Sequence, residues 1–401
     1  MAGRRPGRAA VGAGWAVFVI ANTQRIDVVP FFNDLRPYYH TDYAGVGALL
    51  SAYLLGYLLA QVPMGLAADN LPTRRVTLAG LALIAATSGV FALVRQYWPA
   101  MLLRFLMGAS GAALYSSTVK LLLGIAPSRG AAMGVLQSGA GTGMIVGLFG
   151  LPLFAQVVGI RPAFLAVAAA SAAVFGYGAA CLPGGTVSRA VGGTIGHQIG
   201  TIVRDRYFVY LASCTFLGLF SAYGITAWLP TYLRNEFRFT SAAAGAIASL
   251  INVALAAAAP VTGALSDRLG LRGPVIVGGF GALALAFALL LGIHSAAAVG
   301  CAAAIAGVGL ALTLPILTTM TTEIFGVARA GVAVSLNLAV GQVASTISGV
   351  LFGIVLDATG SFRLVWSIAT ALAAAGLVPA VLLRARERAA PAGRSAGDPR
   401  G

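Results

Sequence analysis

Long apolar segments dominate this chain, and they limit it to one class of fold. Short polar segments divide the sequence into about twelve apolar stretches of roughly 20–27 residues. Each is long enough to cross a hydrocarbon core of about 30 Å as a helix. Backbone groups must pair internally in lipid, so the stretches are predicted to be α-helices and not strands. The predicted spans are 11–33, 43–68, 76–94, 99–125, 132–158, 162–182, 207–233, 241–266, 274–293, 297–324, 331–357 and 363–384.

Charge is scarce and unevenly placed. Only 9% of the 401 residues are charged, against roughly 25% in a soluble domain. The net charge of +15 comes from arginines scattered between apolar runs, which argues against the clustered basic patch that nucleic acid requires. Of these arginines, 17 fall on the side of the N-terminus and 6 on the opposite side. The positive-inside rule therefore predicts a multi-pass protein of the plasma membrane, a bacterial inner membrane, with both termini cytoplasmic.

The two halves of the chain resemble each other. The longest internal polar stretch, 183–206, divides the predicted helices six and six. Asp69 in GLAADNLPTRR and Asp267 in GALSDRLGLRG are 198 residues apart, and Arg129 and Arg329 are 200 apart. Two parallel six-helix repeats are typical of transporters. The predicted organisation is an N-terminal six-helix bundle at 1–182, a cytoplasmic linker at 183–206, a C-terminal bundle at 207–384 and a disordered cytoplasmic tail at 385–401.

Both polar loops resemble the signature loop of the major facilitator superfamily, Gly-x-x-x-Asp-Arg-x-Gly-Arg-Arg, found after the second and eighth helices. The resemblance covers the whole chain and implies the superfamily's twelve-helix fold. It also implies that the loops make charge contacts that hold the outward-open state, or else that the arginines only set topology. The residues implied as gating loops are Gly65, Asp69, Arg74, Arg75, Gly263, Asp267, Arg268 and Arg272.

At finer grain the chain resembles the anion:cation symporter branch, which includes sialin-like and sugar-acid transporters. The resemblance lies in LLSAYLLGYLLAQVPMGLAAD (49–69), RFLMGASG (104–111) and LDATGSFRLVW (356–366). It implies that the substrate cavity is lined by Arg25, Tyr57 and Arg104.

Two departures from the branch concern its acids. Gln24 stands where the branch has a first-helix acid, and Gly111 where it has a fourth-helix glutamate. The branch ties both acids to proton coupling, so the departures weaken the expectation of proton symport more than that of anion binding.

Charges inside the spans mark candidate sites, because each costs about 2.5–3.5 kcal/mol at the bilayer centre unless it has a partner or a cavity. Arg25 lies about 14 residues into the first helix, too deep to reach either surface easily, so it contacts either substrate or a structural partner. Asp27 lies about 200° around the helix from Arg25. It is the candidate coupling acid, or else it binds a polar group of a neighbouring helix.

Arg104 begins a face of the fourth helix that continues through Gly108, Gly111 and Tyr115. A guanidinium there can hold a carboxylate by two parallel hydrogen bonds. The alternative is that Arg104 bonds to backbone carbonyls or reaches outward. Lys120, the only lysine, lies about 160° around the helix from Arg104. We expect it to extend to the cytoplasmic surface or to a loop carboxylate.

The second half has no basic residue inside a span, and its candidate cavity residues are neutral. Trp228 in TAWLPTYL and Asn337 in SLNLAVGQVAS resemble positions that face the cavity in the branch, although each could equally serve packing. Tyr223, Asn252 and Gln342 are further neutral candidates. Glu323 and Asp357 lie near helix ends and are expected to make loop contacts.

Together these features predict a secondary active transporter for a small organic anion with hydroxyl groups, such as a sugar acid. Its predicted substrate-binding residues include Tyr115, and its coupling ion is a proton or sodium. We expect a monomer with no cofactor, no metal and no nucleic-acid partner. One alternative is an exporter of apolar or cationic compounds with structural arginines. The other is a membrane receptor or enzyme, which the sequence disfavours because it has no sensing domain and no HExxH, GxSxG or Walker motif.

Overall fold

The computed structural model of the protein describes residues 8–125, 129–184, 195–292 and 295–389, which form helices and no strand. The first half contains α1 to α8. Their bounds are Arg8–Ile26 (α1), Phe32–Tyr38 (α2), Tyr43–Asn70 (α3), Thr73–Leu93 (α4), Tyr97–Ile125 (α5), Arg129–Ile145 (α6), Leu151–Val158 (α7) and Ile160–Cys181 (α8). A π-helical turn, Val146–Gly150, joins α6 to α7 so that the two form one span.

The second half contains α9 to α15. Their bounds are Ile195–Val203 (α9), Arg206–Phe237 (α10), Ser241–Leu269 (α11), Gly273–Leu290 (α12), Ala296–Thr359 (α13), Phe362–Ala375 (α14) and Leu377–Ala389 (α15). The element α13 is two helical arms, Ala296–Gly326 and Arg329–Thr359, because the chain turns back at Gly326. Gly326 has φ 68° and ψ 164°, a conformation that glycine adopts readily and other residues do not.

The pattern of spans agrees with the sequence prediction. Within the described residues, ten helices are long and apolar enough to cross a membrane. The other two predicted spans correspond to α1 and α5, the helices that carry Arg25, Arg104 and Lys120. The arrangement is an all-helical membrane fold of the predicted class.

Three boundaries differ from the prediction. The first helix was expected to continue to residue 33, but α1 ends at Ile26 and a 3₁₀ turn, Val29–Phe31, follows. Pro30 lies in that turn, and proline cannot donate to the preceding helical turn. Part of the predicted linker forms α9, and α15 continues past residue 384 to Ala389. Residues 185–194 of the predicted linker and 390–401 of the predicted tail lie outside the described residues.

Glycine contacts bring α3 and α5 together inside the first half. A Cβ added at Gly108 would lie 1.8 Å from the carbonyl oxygen of Tyr53, and one at Gly56 would lie 2.0 Å from that of Phe105. Only glycine permits such backbone approach, as in other close helix pairs in membranes. This contact holds the Arg104 side of α5 tightly against its neighbours.

The two halves also meet through glycines, at one end of the helices. Gly47 of α3 packs on Gly349 of the second arm of α13, where an added Cβ would lie 2.3 Å from the Gly349 carbonyl oxygen. Gly353 packs in the same way on Tyr43 and Ala44 at the start of α3. We call this region the closed end.

Candidate functional site

A cavity of about 230 Å³ lies between the two halves. Along α3 and along the second arm of α13, its lining residues lie on the side of Gly47 and Gly349 that is away from the closed end. The lining residues are Phe18, Asn22, Arg25, Tyr57, Gln61, Tyr115, Gln137, Ala140, Leu219, Tyr223, Leu338 and Gln342.

Arg25 is the only charged residue in this lining set. Its Nη1 donates to the hydroxyl oxygen of Tyr223 at 3.1 Å, which joins the first half to the second. Its guanidinium carbon lies 4.7 Å from the centre of the Tyr57 ring, within the range of a cation–π contact. These partners are neutral, and Arg25 Nε is buried with no hydrogen-bond partner in the described residues. The cation is therefore positioned but not neutralised.

Amide side chains supply most of the other polar groups of the cavity. The Oε1 atoms of Gln61 and Gln342 are buried without a hydrogen-bond partner among the described residues. Gln137 and Asn22 complete the set, although Asn22 already donates to the carbonyl oxygen of Phe18 at 2.9 Å. Amides can donate to and accept from hydroxyl groups. The cavity can thus bind a hydroxylated anion by charge at one point and by hydrogen bonds around it.

Three residues predicted to bind substrate, Arg25, Tyr57 and Tyr115, line this cavity, with the Tyr115 ring centre 6.4 Å from that of Tyr57. Gln61, which lies one helical turn after Tyr57, was not among the predicted residues. The spacing of four residues on α3 is the signal that would have found it.

Arg104 does not reach the cavity. Its side chain is fully buried inside the first half, and Nη1 donates to Asp27 Oδ1 at 2.8 Å. The remaining donors bond to the backbone carbonyl oxygens of Gln24 and Leu49, at 3.0 and 3.3 Å, and of Arg25 at 3.3 Å. The structure therefore shows the alternative in which Arg104 bonds to backbone carbonyl oxygens. Its guanidinium does not contact the cavity, because Asp27 and these carbonyl oxygens already bind it.

Asp27 binds Arg104 and does not line the cavity that contains Arg25. The predicted helical angle between Asp27 and Arg25 does not apply, because the helix ends at Ile26. Asp27 lies just after the end of α1 and is fully buried. Its only side-chain partner in the described residues is Arg104, and its Oδ2 atom is buried without one. Asp27 is therefore sealed from the cavity in this conformation.

Two candidates from the second half are also outside the cavity. Trp228 is fully buried and donates from Nε1 to the carbonyl oxygen of Gly349 at 3.2 Å. It therefore stabilises the closed end. Asn337 is 3% exposed and donates to Thr321 Oγ1 at 3.3 Å, inside the second half. For both residues the structure has the packing role and not the predicted substrate contact, because the indole and the amide turn toward neighbouring helices.

Polar contacts across the halves secure the closed end. Arg234 binds Asp34 with N–O distances of 2.5 and 3.1 Å, and Asn33 donates to Asn235 Oδ1 at 2.7 Å. The carboxylate of Asp357 accepts from the backbone N–H groups of Tyr43 and Ala44 at 2.9 and 2.7 Å. The carboxylate thereby occupies the positive N-terminus of α3. Asp357 was expected to make a loop contact, and this contact crosses to the other half.

The first signature loop pairs within its own half. Lys120 Nζ donates to Asp69 Oδ1 at 2.5 Å and to the carbonyl oxygen of Ala68 at 3.0 Å. This confirms the expectation that the lone lysine reaches a loop carboxylate. Arg74 donates to the carbonyl oxygen of Ala179, while Arg75 is exposed in the first turn of α4.

The second loop centres on Arg272. Its guanidinium bonds to Glu323 at 2.9 Å and to Asp267 at 2.6 Å. The pKa of Arg272 is raised, mainly by the hydrogen bond to Glu323 and also by the hydrogen bond to Asp267. Arg268 is exposed in the last turn of α11, and Cβ atoms added at Gly65 or Gly263 would meet nothing within 4 Å. The second loop thus contains the expected carboxylate–arginine pair.

Apolar helices long enough to span a membrane, in two halves with a polar cavity between them, define a multi-pass membrane protein. The sequence model of the Major Facilitator Superfamily matches residues 13–240 and again 211–400. The chain belongs to the Major Facilitator Superfamily.

Individual relatives are distant. The chain is 27% identical over 131 residues to a probable sugar efflux transporter of Helicobacter pylori (strain G27), covering 32% of this chain and 34% of that protein. It is 28% identical over 159 residues to the multidrug resistance protein Stp of Mycobacterium tuberculosis (strain CDC 1551 / Oshkosh), covering 39% of this chain and 30% of that protein. The matches thus span about a third of these relatives' length.

A solved structure shares the fold. It is a bacterial homologue of the human lysosomal transporter Spinster in an inward-facing, unoccupied conformation. The TM-score is 0.75 and the identity 15%, with 96% of each chain covered. At this identity the likeness concerns the fold alone.

Proposed function

We propose that the protein carries a small organic anion, whose carboxylate binds Arg25 in the cavity between the halves. The observation that carries the proposal is the single guanidinium in a lining that contains no carboxylate. A cation in a low-dielectric site needs a counterion, and a substrate anion supplies one. Tyr57 and Tyr223 hold the guanidinium in place, so it is preorganised for a planar carboxylate.

The rest of the substrate is proposed to be hydroxylated, as in a sugar acid. The amides of Gln61, Gln137 and Gln342 line the same cavity as the cation. The unpaired oxygens of Gln61 and Gln342 can accept hydrogen bonds from hydroxyl groups. The name of the Helicobacter relative, a probable sugar efflux transporter, favours a second candidate, a neutral sugar. That candidate uses the same amides and leaves Arg25 to bind a hydroxyl oxygen.

Transport is proposed to proceed by alternating access, with the halves, near 1–182 and 207–384, moving about the cavity. By the positive-inside rule the closed end faces the exterior and both termini face the cytoplasm of a bacterial-type cell. The structure would then represent an inward-facing conformation. In the opposite state the closed-end contacts of Asp34 and Asp357 would break, and the signature loops around Asp69 and Asp267 would hold the cytoplasmic side.

Coupling remains a separate proposal. Asp27 is the one acid in the membrane interior within the part of the chain that the structure describes, so it is the candidate for protonation if a proton is coupled, with sodium as the alternative ion. Moving one negative charge into a cell at −100 mV costs about 2.3 kcal/mol. Uptake therefore needs a cotransported cation or a steep gradient, whereas efflux and exchange do not.

Counterflow in proteoliposomes tests the substrate proposal. Vesicles loaded with unlabelled D-gluconate, D-glucuronate, D-lactate or D-glucose receive a trace of the labelled compound outside. We expect accumulation for at least one carboxylate, loss of it in Arg25→Gln, and parental activity in Arg95→Gln, a matched change at an exposed arginine outside the cavity. Accumulation of D-glucose alone would favour the neutral sugar.

The multidrug relative defines the remaining rival, an exporter of apolar or cationic compounds. Such a substrate gains nothing from a guanidinium in the cavity. Ethidium efflux from cells that express the protein distinguishes the two. An exporter of this kind would expel ethidium, and Arg25→Gln would leave that efflux intact or increase it.

A further inference from the structure

Almost all the acidic side chains that the structure describes lie outside the membrane interior. The sequence has 11 Asp and Glu residues; among those that the structure describes, Asp27 alone lies in the membrane interior, where it binds Arg104. The others within the described residues lie at helix ends, and most of them bind a cation or a helix N-terminus there. Those with such partners are Asp34, Asp42, Asp69, Asp205, Asp267, Glu323, Asp357 and Glu387.

Arg25 therefore has no internal counterion among the described residues. Asp27 and Arg104 cancel each other's charge, and the cavity lining offers Arg25 only hydroxyl, aromatic and amide groups. While the cavity is open to water, solvent can screen the guanidinium. When the halves close around it, that screening is lost and the charge must be matched from outside the protein.

We infer that the protein is an obligatory anion exchanger, in which a bound carboxylate is the counterion that lets the halves close around Arg25. The inference rests on the anion proposal above and deepens it. With an anion bound, the pair of charges is neutral and can pass through the occluded state. Without an anion, the carrier would have to occlude an unpaired guanidinium, so the halves do not close until an anion binds. One anion therefore leaves for each one that enters.

The partner anion shares the chemistry of the substrate. Arg25 offers two parallel donors that suit a planar carboxylate, and the cavity of about 230 Å³ accommodates a small molecule. A second organic carboxylate is therefore the expected counter-substrate. Chloride has the charge but neither the planar shape nor hydroxyl groups, so it should replace the carboxylate poorly.

Exchange is tested by the dependence of efflux on external anion. Proteoliposomes loaded with the potassium salt of labelled D-gluconate, or of whichever carboxylate passes the counterflow screen, are diluted into sucrose with zwitterionic buffer. Valinomycin lets potassium follow, so that no membrane potential opposes efflux. We expect efflux to be at least about tenfold faster when the medium contains the unlabelled carboxylate, and to respond far less to chloride.

An internal carboxylate should relax this requirement. Gln342→Glu places an acid of nearly the same shape in the cavity lining, and Gln342→Met is the control that alters the same position without charge. In Gln342→Glu we expect net efflux without external anion to rise about tenfold relative to exchange. Gln61→Glu is the second variant, since it supplies the acid from the first half. Net efflux that stays low in both acidic variants would contradict the counterion argument.

The outcomes separate the two proposals. If no carboxylate in the panel moves in either medium, the anion carrier itself is wrong. If carboxylates leave equally fast with and without external anion while the potential is clamped, the anion carrier stands and obligatory exchange is wrong. If chloride supports efflux as well as the carboxylate does, the carboxylate requirement is wrong.

Discussion

Arg104 and Asp27 form an ion pair, 2.8 Å between Nη1 and Oδ1, in the interior of the first half. Both side chains are essentially inaccessible, at 0% and 1% exposure. The pair joins α5 to the chain just after α1, and the guanidinium also bonds to the backbone carbonyl oxygens of Gln24 and Arg25 in α1 and of Leu49 in α3. The pair therefore fixes the position of Arg25, which lies two residues before Asp27 in the chain. We expect it to position the site without touching substrate.

Removing one partner of this pair should destabilise the protein more than removing both. Arg104→Met leaves a buried carboxylate and Asp27→Asn leaves a buried guanidinium, each at a cost of about 3–5 kcal/mol. The double variant leaves no unpaired charge and should recover part of the loss. The measurement is the thermal stability of the three variants, purified in detergent, with size-exclusion chromatography as the readout.

Arg95→Met, at an exposed arginine, is the control for loss of an arginine as such. Losses from the two single variants that simply add in the double variant would contradict a direct charge pairing. In that case Arg104 would act through its carbonyl contacts alone.

Bulk at Gly47 should prevent the closed end from forming. A Cβ at Gly47 would lie 2.3 Å from the carbonyl oxygen of Gly349, so Gly47→Val cannot be accommodated without separating α3 from α13. Ser51, which is 7% exposed and donates to the carbonyl oxygen of Thr346, is a suitable reporter as Ser51→Cys. In a background without the native cysteines, we expect thiol labelling to be slow in the parent and several times faster with Gly47→Val.

Gly176→Val is the matched control, because a Cβ at Gly176 meets nothing within 4 Å. Equal labelling in all three proteins would mean that the glycine contact does not hold the closed end.

Hydropathy and the internal repeat were sufficient to predict the helices, because lipid forces every span to satisfy its own backbone. One exception was the first span. Its apolar composition continues past Ile26, but Pro30 ends the helical hydrogen bonding and the chain turns into a 3₁₀ segment. Local backbone chemistry outweighed hydropathy there.

Helical periodicity predicted the faces of side chains better than their surroundings. Arg104 and Tyr115 are 11 residues apart, which places them on one face of α5, within about 20°, but about 16 Å apart along its axis. The face was correct, since Tyr115 lines the cavity. The depth decided the outcome for Arg104, because at its level glycine contacts press α5 against α3 and leave no space. Depth of this kind depends on how helices tilt and pack, which a single sequence does not contain.

The ring of Tyr57 should contribute to substrate affinity through Arg25. Its centre lies 4.7 Å from the guanidinium carbon, and such contacts are worth about 0.5–2 kcal/mol. Tyr57→Leu should therefore raise the KM for the transported carboxylate by about 2-fold to 30-fold. Tyr57→Phe keeps the ring and is the matched variant, so its KM should stay near the parental value. A KM that rises equally in both variants would assign the effect to the hydroxyl group.

Lys120, although it is the only lysine of the chain, should be dispensable for substrate binding. Its ion pair with Asp69 has side-chain exposures of 29% and 37%, so solvent screens it and it should stabilise the protein by about 0–1 kcal/mol. Lys120→Gln and Asp69→Asn should lower the unfolding temperature slightly and by similar amounts. In both variants KM should remain within about twofold of the parent, because neither residue lines the cavity. A tenfold rise in KM in Lys120→Gln but not in Asp69→Asn would instead assign the lysine to the substrate path. A lysine in the path would also weaken the argument that Arg25 is the cation that the substrate must neutralise.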